Sequence, residues 1–188
     1  AYYEQYPKEY LSYVNASNVQ TNILIDRSNF PKTLYSINGK DLVSVVDCSE
    51  WAKMYNSLLS SSYKPEYFLD WETIKNSVNI VYENQKAYSI GMFFFKVNAI
   101  SQSAIDNGNF TIGPKNLIEN ISTPSSFSTF EAFSAACLSH NLIGDKITFH
   151  IPQYLYFTNR SDLIIKSIEI DFDNGSGYQT VQFNDFIT

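Results

Sequence analysis

Apolar side chains recur at helical spacing in the first half of the chain. At steps of three and four residues this stretch carries Trp51, Met54, Tyr55, Leu58 and Leu59. Ser49 stands just before the first of them, where a serine hydroxyl can cap the free N–H groups of a helix. Three serines at residues 60–62 end the apolar pattern. The spacing predicts a helix over about residues 49–61, and we expect it to be the longest helix of the molecule.

A second, shorter helix is predicted to start at Asp70. Aspartate is a preferred helix cap, and Trp71, Ile74 and Val78 follow on what would be one helix face. After residue 78 the pattern changes to short runs rich in Ile, Val, Phe and Tyr, which are typical of strands. The predicted strands cover residues 78–82, 87–100, 110–112, 146–151, 163–172 and 178–183, whereas residues 127–138 fit either a helix or a strand.

These elements favour a mainly β protein with a small helical insertion. Strands dominate the second half, so we expect an antiparallel β-sandwich that is Ig-like in the C-terminal half. Residues 1–77 then form an N-terminal segment with the helical insertion, and residues 78–188 form the sandwich portion, the two making one continuous domain. The N-terminal segment starts with an aromatic arm that we expect to pack on the domain, with tyrosines at helical spacing at Tyr3, Tyr6, Tyr10 and Tyr13.

Composition excludes several classes of protein. The chain has 188 residues and a net charge of −6, and 17% of its residues are charged. An intrinsically disordered chain is excluded because 44% of the residues are hydrophobic. A nucleic-acid partner is not expected, since binding to phosphates needs clustered Lys and Arg. No apolar run reaches the roughly 18 residues of a membrane-spanning helix, so no membrane span is expected.

Two features predict a secreted or cell-surface protein. Residue usage is rich in Tyr, Phe, Ser and Asn and low in charge, which is common in extracellular β proteins, although a low-GC genome would produce much of the same bias. The chain starts at Ala1 without a Met, which fits a mature form after removal of a signal peptide, or a trimmed chain. Cys48 and Cys137 are too few for a disulfide scaffold, so we expect them to be either bonded to each other or both buried and inert.

Metal and nucleophile motifs are missing or isolated in this sequence. His140 and His150 have no partner at metal-ligand spacing, and neither HExxH nor CxxC occurs. Residues 61–64, Ser-Ser-Tyr-Lys, match SxxK, but the KTG element that accompanies this acyl-serine motif is missing. A dyad of Cys137 with either histidine is conceivable. Cys137 lies in an apolar run, however, where a buried, inert thiol is the better interpretation.

A row of carboxylates stands near the C-terminus. Glu169, Asp171 and Asp173 alternate with apolar residues, so all three share one face of a strand. A solvent-facing row is the simplest interpretation, because glycosidases need two carboxylates across a cleft. The Asp-Asn-Gly at residues 173–175, followed by Gly177 as a site for a bulge, predicts a tight hairpin. A loose calcium loop with Asp171 and Asp173 as ligands is the alternative, whereas an EF-hand is excluded because its twelfth position is Gln182 instead of Glu.

The stretch IEIDFDNGSGY at residues 168–178 resembles the IDFGDGxGY segment of large secreted bacterial surface proteins with several domains. In those proteins an Ig-like β module follows a segment with an LYDR motif, and Leu-Ile-Asp-Arg at residues 24–27 occupies the corresponding place here. The chain departs from the pattern at Ile25, where Tyr is usual, and at residues 173–175, where Gly-Asp-Gly is commoner. The resemblance implies an N-terminal module of an exported surface protein, followed by downstream domains, with no catalytic residue to transfer.

Two functions fit these observations. The first is a non-catalytic module of an exported bacterial surface protein that serves adhesion, assembly or presentation of downstream domains, with a protein or carbohydrate at the cell surface as its partner. The second is an accessory or catalytic domain of a secreted hydrolase that acts on polysaccharide or lipid. Tyr154 and Tyr156 are the candidate ligand aromatics, since tyrosine rings stack on sugars, although an aromatic core also explains them. No cofactor is expected, with calcium as the alternative.

Overall fold

The structure is a computed structural model, and the residues it describes are 14, 16–25, 36–37, 40–41, 46–109, 111–112, 118–119, 124–139, 141–172 and 175–188. Both predicted helices and the long predicted strand at residues 87–100 lie within these ranges. The predicted aromatic arm with Tyr3, Tyr6, Tyr10 and Tyr13 lies outside the described residues.

Helix α1 spans Cys48–Ser60 and confirms the helix predicted over residues 49–61. Asp47 caps it in place of Ser49, because the Asp47 carboxylate accepts a hydrogen bond of 2.8 Å from the Glu50 backbone N–H. The buried face of the helix consists of Cys48, Trp51, Met54, Tyr55 and Leu58. The apolar spacing in the sequence therefore marks the face that packs on the sheet.

Helix α2 spans Trp71–Gln85. Asp70 caps it as predicted, with its carboxylate accepting hydrogen bonds from the Thr73 backbone N–H at 2.9 Å and from the Thr73 hydroxyl. The helix ends at Lys86, which has a left-handed φ of 53° and donates its N–H to the Tyr82 carbonyl. The predicted strand at residues 78–82 is wrong, because α2 runs through all of them.

The apolar period of α2 continues past residue 78. Ile74 and Val78 are buried, whereas Ile80 is 57% exposed. The β-branched residues at 78, 80 and 81 favour a strand by local propensity, but packing of one helix face on the sheet overrides this preference. With 15 residues against 13 in α1, α2 is also the longer helix, so the prediction that the longest helix lies within residues 49–61 is wrong.

The strands include two long members and several of two to four residues. In chain order they are β1 Leu24–Ile25, β2 Ser36–Ile37, β3 Lys40–Asp41, β4 Ala87–Ile100, β5 Thr111–Ile112, β6 Ile118–Glu119, β7 Phe127–Cys137, β8 Thr148–His150, β9 Tyr156–Thr158, β10 Ile168–Asp171, β11 Tyr178–Val181 and β12 Phe186–Ile187. A short helix, α3, covers Gln102–Asp106 after β4. Residues 127–138, which fitted either element, are therefore a strand.

Strand β4 is the centre of an eight-stranded mixed sheet with the order β12-β8-β4-β7-β2-β3. Along one edge it pairs with β7 in the antiparallel direction, from Ile90 opposite Cys137 to Ile100 opposite Phe127. Along the other edge three short strands run parallel to β4, one after another. They are β8 beside residues 87–89, β9 beside residues 92–94 and β1 beside residues 98–99.

The prediction of a mainly β fold with an antiparallel, Ig-like β-sandwich in the C-terminal half is wrong. The fold is mixed α/β, because the central sheet combines parallel with antiparallel pairs and α1 and α2 pack on one of its faces. The chain passes from β1 through both helices before it enters β4, and a parallel pair needs a long crossover of this kind. A separate antiparallel pair does form between β10 and β11.

Hydrophobic cores lie on both faces of β4. On the helix side Trp51 is central, with ring centroids 5.0 Å from Tyr55, 5.6 Å from Phe93 and 6.2 Å from Phe157. On the other side, under β10 and β11, a second cluster is formed by Ile90, Met92, Ile151 and Val181. Because both faces of β4 are covered, its sequence is apolar almost throughout.

Candidate functional site

A cleft of about 360 Å³ opens between α2 and the start of β4. One of its walls is a row of α2 residues, Trp71, Ile74, Lys75, Val78, Asn79 and Tyr82. Their spacing places all six on the same face of the helix. We call these six residues the α2 stripe.

The remaining lining comes from separate parts of the chain. The buried residues Cys48, Ala87 and Leu138 form the floor of the cleft, at the start of α1, the start of β4 and the end of β7. The wall opposite α2 consists of Tyr88, Ser139, Asn141 and Ile143. The cleft therefore lies where both long helices and both long strands come together.

Tyr88 holds the loop that carries Asn141 and Ile143 against the sheet. Its hydroxyl accepts a hydrogen bond of 3.0 Å from the Ile143 N–H and donates one of 3.4 Å to the Ile143 carbonyl. The Tyr88 ring is buried, and its centroid lies 5.1 Å from that of Tyr82 in the last turn of α2. The hydrogen bond with Tyr88 raises the pKa of Tyr82.

Among the described residues that line the cleft, Lys75 carries a charge, and this charge is paired. The Lys75 ammonium is 2.7 Å from the Glu72 carboxylate, and the two side chains are 45% and 73% exposed. The Lys86 ammonium lies 5.2 Å from the centroid of the Tyr82 ring, within the range of a cation–π contact. The inner part of the cleft presents aromatic rings, aliphatic side chains and a few hydroxyl and amide groups, which suits the apolar part of a small molecule.

Neither cysteine has the environment of a reactive thiol. Burial, with the charge of Asp47 adding to it, raises the pKa of Cys48, and burial raises the pKa of Cys137 to about 11. Both thiols are free. Cys137 alternates with Ala136 and Leu138, which face the helices, so its thiol points away from the core that holds Cys48. The structure thus has no disulfide, and the predicted burial applies fully to Cys48 and partly to Cys137.

The isolated nucleophile motifs do not assemble into a site. His150 lies in β8 with its ring stacked on Phe186, and His140 lies outside the described residues. In the SxxK match, Ser61 is buried, whereas Lys64 is exposed with its ammonium 5.9 Å from the Tyr67 ring. None of these described side chains lines the cleft.

The predicted ligand aromatics also lie outside the cleft. Tyr154 is in a 3₁₀ turn, Gln153–Leu155, and is 45% exposed. Tyr156 is the first residue of β9, and its ring centroid lies 5.8 Å from that of Phe183. Burial raises the pKa of both hydroxyls. Tyr154 therefore keeps exposed surface, whereas Tyr156 packs against the core under β10 and β11.

The acidic row faces solvent where the structure describes it. Glu169 and Asp171 are exposed on β10, and the alternating Ile168 and Ile170 are half-buried against the second core. Asp173 lies outside the described residues, and so does part of the predicted calcium loop. Within the described ranges, no group of three or more His, Cys, Asp and Glu side chains could hold a metal ion. Calcium binding stays a prediction.

The hairpin itself is confirmed, with a longer loop than the tight turn predicted. Asp171 is paired with Tyr178, so residues 172–177 connect the strands. Gly175 and Gly177 have φ values of 82° and 68°, which glycine adopts without a Cβ clash.

A second cleft, of about 260 Å³, is polar. It is lined by Gln20, Thr21, Asn22, Lys96, Thr129, Asn159 and Arg160. Asp162 accepts two hydrogen bonds of 2.7 Å from Arg160, and Glu131 lies 3.9 Å from the same guanidinium. The positive charge of Arg160 is therefore balanced. Neither cleft has a carboxylate among the described residues that line it.

Sequence reasoning misses Asn79 and Tyr82 as site residues. A strand at residues 78–82 gives them no relation to Trp71 and Ile74, whereas a continued helix places all four on one face. The available signal is the Asp70 cap followed by steps of three and four residues that run on to residue 82. The β-branched composition of residues 78–81 conceals that signal.

Comparisons of the chain with protein-family models, curated proteins and solved structures give no match. The resemblance to secreted bacterial surface proteins therefore stays a prediction. Among the described residues, no helix is long and apolar enough to cross a membrane.

Proposed function

We propose that the chain is a non-catalytic binding module whose cleft beside α2 takes the apolar part of a small molecule. The observation that carries the proposal is the α2 stripe, which faces a loop held by Tyr88 across about 360 Å³ of space. Ligand sites are typically concave and mostly apolar, with a few polar groups that fix orientation. In this cleft Asn79, Tyr82 and Ser139 are among the polar groups that line the wall.

The chemistry of the lining favours binding over hydrolysis. Hydrolysis of a polysaccharide needs carboxylates that converge across a cleft, yet Glu169 and Asp171 project from β10 and line neither cleft. Nucleophilic attack needs an activated side chain, yet the raised pKa of Cys48 keeps its thiol protonated. The alternative of an accessory or catalytic hydrolase domain therefore rests on the sequence alone.

The proposed setting is the surface of a bacterial cell. There the module would serve adhesion, assembly or presentation of downstream domains, with its ligand carried by a surface protein or carbohydrate. The support is the residue usage and the resemblance of residues 168–178. Protease treatment of intact cells that produce the full-length protein tests this setting, since an exposed module is degraded and an internal one is protected.

Asn79 and Asn76 offer a matched pair of variants for testing the cleft. Asn79 belongs to the α2 stripe, whereas Asn76 is exposed on the same helix and does not line the cleft. A tryptophan at residue 79 would fill the mouth of the cleft, and one at residue 76 would lie in solvent. Both changes alter helix propensity in the same way, so a difference between them reports on the cleft.

The probe is 8-anilinonaphthalene-1-sulfonate, a fluorescent molecule with an apolar aromatic body. We expect wild type and Asn76→Trp to bind it with the same Kd and Asn79→Trp to bind it at least about tenfold more weakly. In a Cys137→Ser background, the bound probe should also slow alkylation of Cys48 in the cleft floor. Equal binding by the two tryptophan variants, with no protection of Cys48, would rule out this cleft as the site.

A further inference from the structure

Strand β12 is the outer strand of the sheet and is very short. It is held beside β8 by two antiparallel residue pairs, Phe186 with His150 and Ile187 with Phe149. A ladder of two pairs fixes few backbone hydrogen bonds, and a pair of short strands is not stable without side-chain contacts. Backbone hydrogen bonds with Ile151 also hold Asn184 and Asp185, so it is the attachment of Phe186 and Ile187 themselves that depends on what their side chains touch.

The ring of His150 supplies one of these contacts. Its centroid lies 4.2 Å from that of Phe186, with the ring planes within 7° of parallel. His150 is 7% exposed, whereas Phe186 is 47% exposed on its outer side. One face of Phe186 is thus covered by an imidazole that has almost no access to water.

The surroundings of His150 suit a neutral imidazole. Its Nδ1 atom is buried and has no hydrogen-bond partner among the described residues. Ser89, the residue paired with it on β4, is fully buried, and its hydroxyl likewise has no partner there. A second N–H on the ring would find no charged acceptor, and buried polar groups without partners are costly.

The charged and titratable groups around His150 do not offset a positive ring. Asp185 comes just before β12, and its carboxylate accepts a hydrogen bond of 2.7 Å from the Gln182 N–H. On β4 the titratable neighbour is Tyr88, whose hydroxyl is bonded to the Ile143 backbone. Burial lowers the pKa of His150, and no charge on a described residue counters this effect.

We propose that β12 is an acid-released edge strand, held on the sheet while His150 is neutral and freed when His150 takes up a proton. Release brings the imidazolium to water and uncovers the edge of β8. An uncovered edge presents unpaired N–H and C=O groups, to which another extended segment can add as a strand.

The direction of the effect follows from proton linkage. A histidine whose pKa is lower when β12 is docked binds protons more tightly when β12 is released, so release increases as pH falls through the ordinary histidine value near 6.5. The face of Phe186 attracts an imidazolium and opposes release. The attraction involves one face of the His150 ring, whereas loss of hydration affects the whole ring. The net effect therefore lowers the pKa of His150.

Hydrogen exchange measures the release directly. The reporters are the amides of β12 and the Ile151 N–H, which donates to the Asp185 carbonyl at 3.2 Å. After correction for intrinsic exchange rates, we expect their protection in wild type to fall by roughly threefold to tenfold between about pH 7.5 and about pH 5. Protection in the β4–β7 ladder should stay constant over the same range.

Two variants separate His150 from other titrating groups. His150→Phe keeps a flat ring against Phe186 but has no proton to gain, so the pH dependence should vanish. His140→Gln removes the other histidine of the chain and should leave the pH dependence intact. Should His150→Phe fail to fold, an NMR titration of the wild-type His150 ring replaces it, and the ring and the reporter amides should share one midpoint below 6.5.

Three results would overturn the proposal. They are constant protection of β12 in wild type, an equal loss of protection in His150→Phe, and a ring midpoint at or above 6.5. Each would show that β12 does not respond to the charge of His150.

Discussion

The side chain of Asn159 makes the hydrogen bonds with β4 that the backbone of a neighbouring strand would otherwise make. Along the parallel edge of β4 there is a gap between β9 and β1, and the Asn159 amide fills it. Its Oδ1 accepts a hydrogen bond of 2.9 Å from the Lys96 N–H, and its Nδ2 donates one of 2.7 Å to the Lys96 carbonyl and one of 2.9 Å to the Thr21 carbonyl. One side chain thus satisfies three backbone groups, two on β4 and one in the turn before β1.

Asn159→Ala should destabilise the fold by about 1–3 kcal/mol, because it leaves partly buried backbone groups without partners. Asn76→Ala, at an exposed position of α2, is the matched control and should change stability little. Urea denaturation of both variants gives the comparison. Equal midpoints would show that water replaces the Asn159 amide without cost.

Gly91 is required by close packing between two strands. A Cβ at this position would lie 2.6 Å from Leu138 Cδ1 and 2.9 Å from Leu138 Cγ. Because the whole Leu138 side chain is in the way, a methyl group cannot be accommodated by moving one terminal atom. Leu138 also forms part of the cleft floor, so this contact links β4 to the shape of the candidate site.

Gly91→Ala should cost about 1–3 kcal/mol as an overpacked core substitution. In a Leu138→Ala background the clash is absent, so the same change should cost clearly less. A double-mutant cycle measured by urea denaturation gives the coupling. Additive effects would mean that the two side chains do not compete for the same space.

At the scale of elements, the start of α2 depends on an ionised carboxylate. Hydrogen bonds from the Thr73 hydroxyl and then from the Thr73 N–H lower the pKa of Asp70. A carboxylate with a lower pKa in the folded state stabilises the fold above its unfolded value of about 3.9, and this stabilisation is lost as pH falls through the lower, folded value.

Asp70→Ala should therefore lower the Tm at neutral pH, with the difference from wild type shrinking below about pH 4. Asp70→Asn is the informative control, since asparagine also caps helices but does not titrate over this range. Thermal melts followed by circular dichroism between about pH 3 and about pH 7 measure both. This window lies below that of His150, so the two acid effects are separable. A pH-independent difference for Asp70→Ala would contradict the cap as the cause.

Elements defined by local chemistry are predictable from this sequence, and those defined by distant contacts are not. The α1 helix and β4 follow from apolar periods that continue from end to end. The short strand β9 carries no such period, and it exists because β4 offers it an edge. The strand prediction for residues 78–82 is wrong for the same reason. Their local propensity favours a strand, but packing of α2 on the sheet makes them helical.

For the whole molecule, the fold follows from covering both faces and both edges of one long apolar strand. An apolar run such as β4 fits a sandwich strand or a central α/β strand equally well, and the sequence does not decide between them. The direction of β1, β8 and β9 relative to β4 decides between the two folds. That direction depends on the long-range path of the chain. The sequence pattern does not reveal the cleft either, because its walls come from four separated segments and form once α2 packs beside β4.

The reaction rates of the two thiols measure how well the folded structure excludes solvent and reagent from each face of the sheet. Cys48 lies in the helix-side core, and Cys137 points to the other side of the sheet, so each reports on a different face. Burial raises the pKa of Cys137 from 9.0 to about 11, which lowers its thiolate fraction at neutral pH about hundredfold. Once the sheet opens, both thiols are exposed and have the ordinary pKa of a cysteine.

We expect native Cys48→Ser and Cys137→Ser proteins, each with one thiol, to react with 5,5′-dithiobis(2-nitrobenzoate) at least about hundredfold more slowly than in denaturant. For the thiol of Cys137, the native rate should keep rising with pH up to about 11, whereas the unfolded rate levels off above 9.0, because the pKa is higher in the folded state. Fast reaction of Cys137 in native protein would mean that its side of the sheet is open. It would also restore the catalytic cysteine that the packing of β7 argues against.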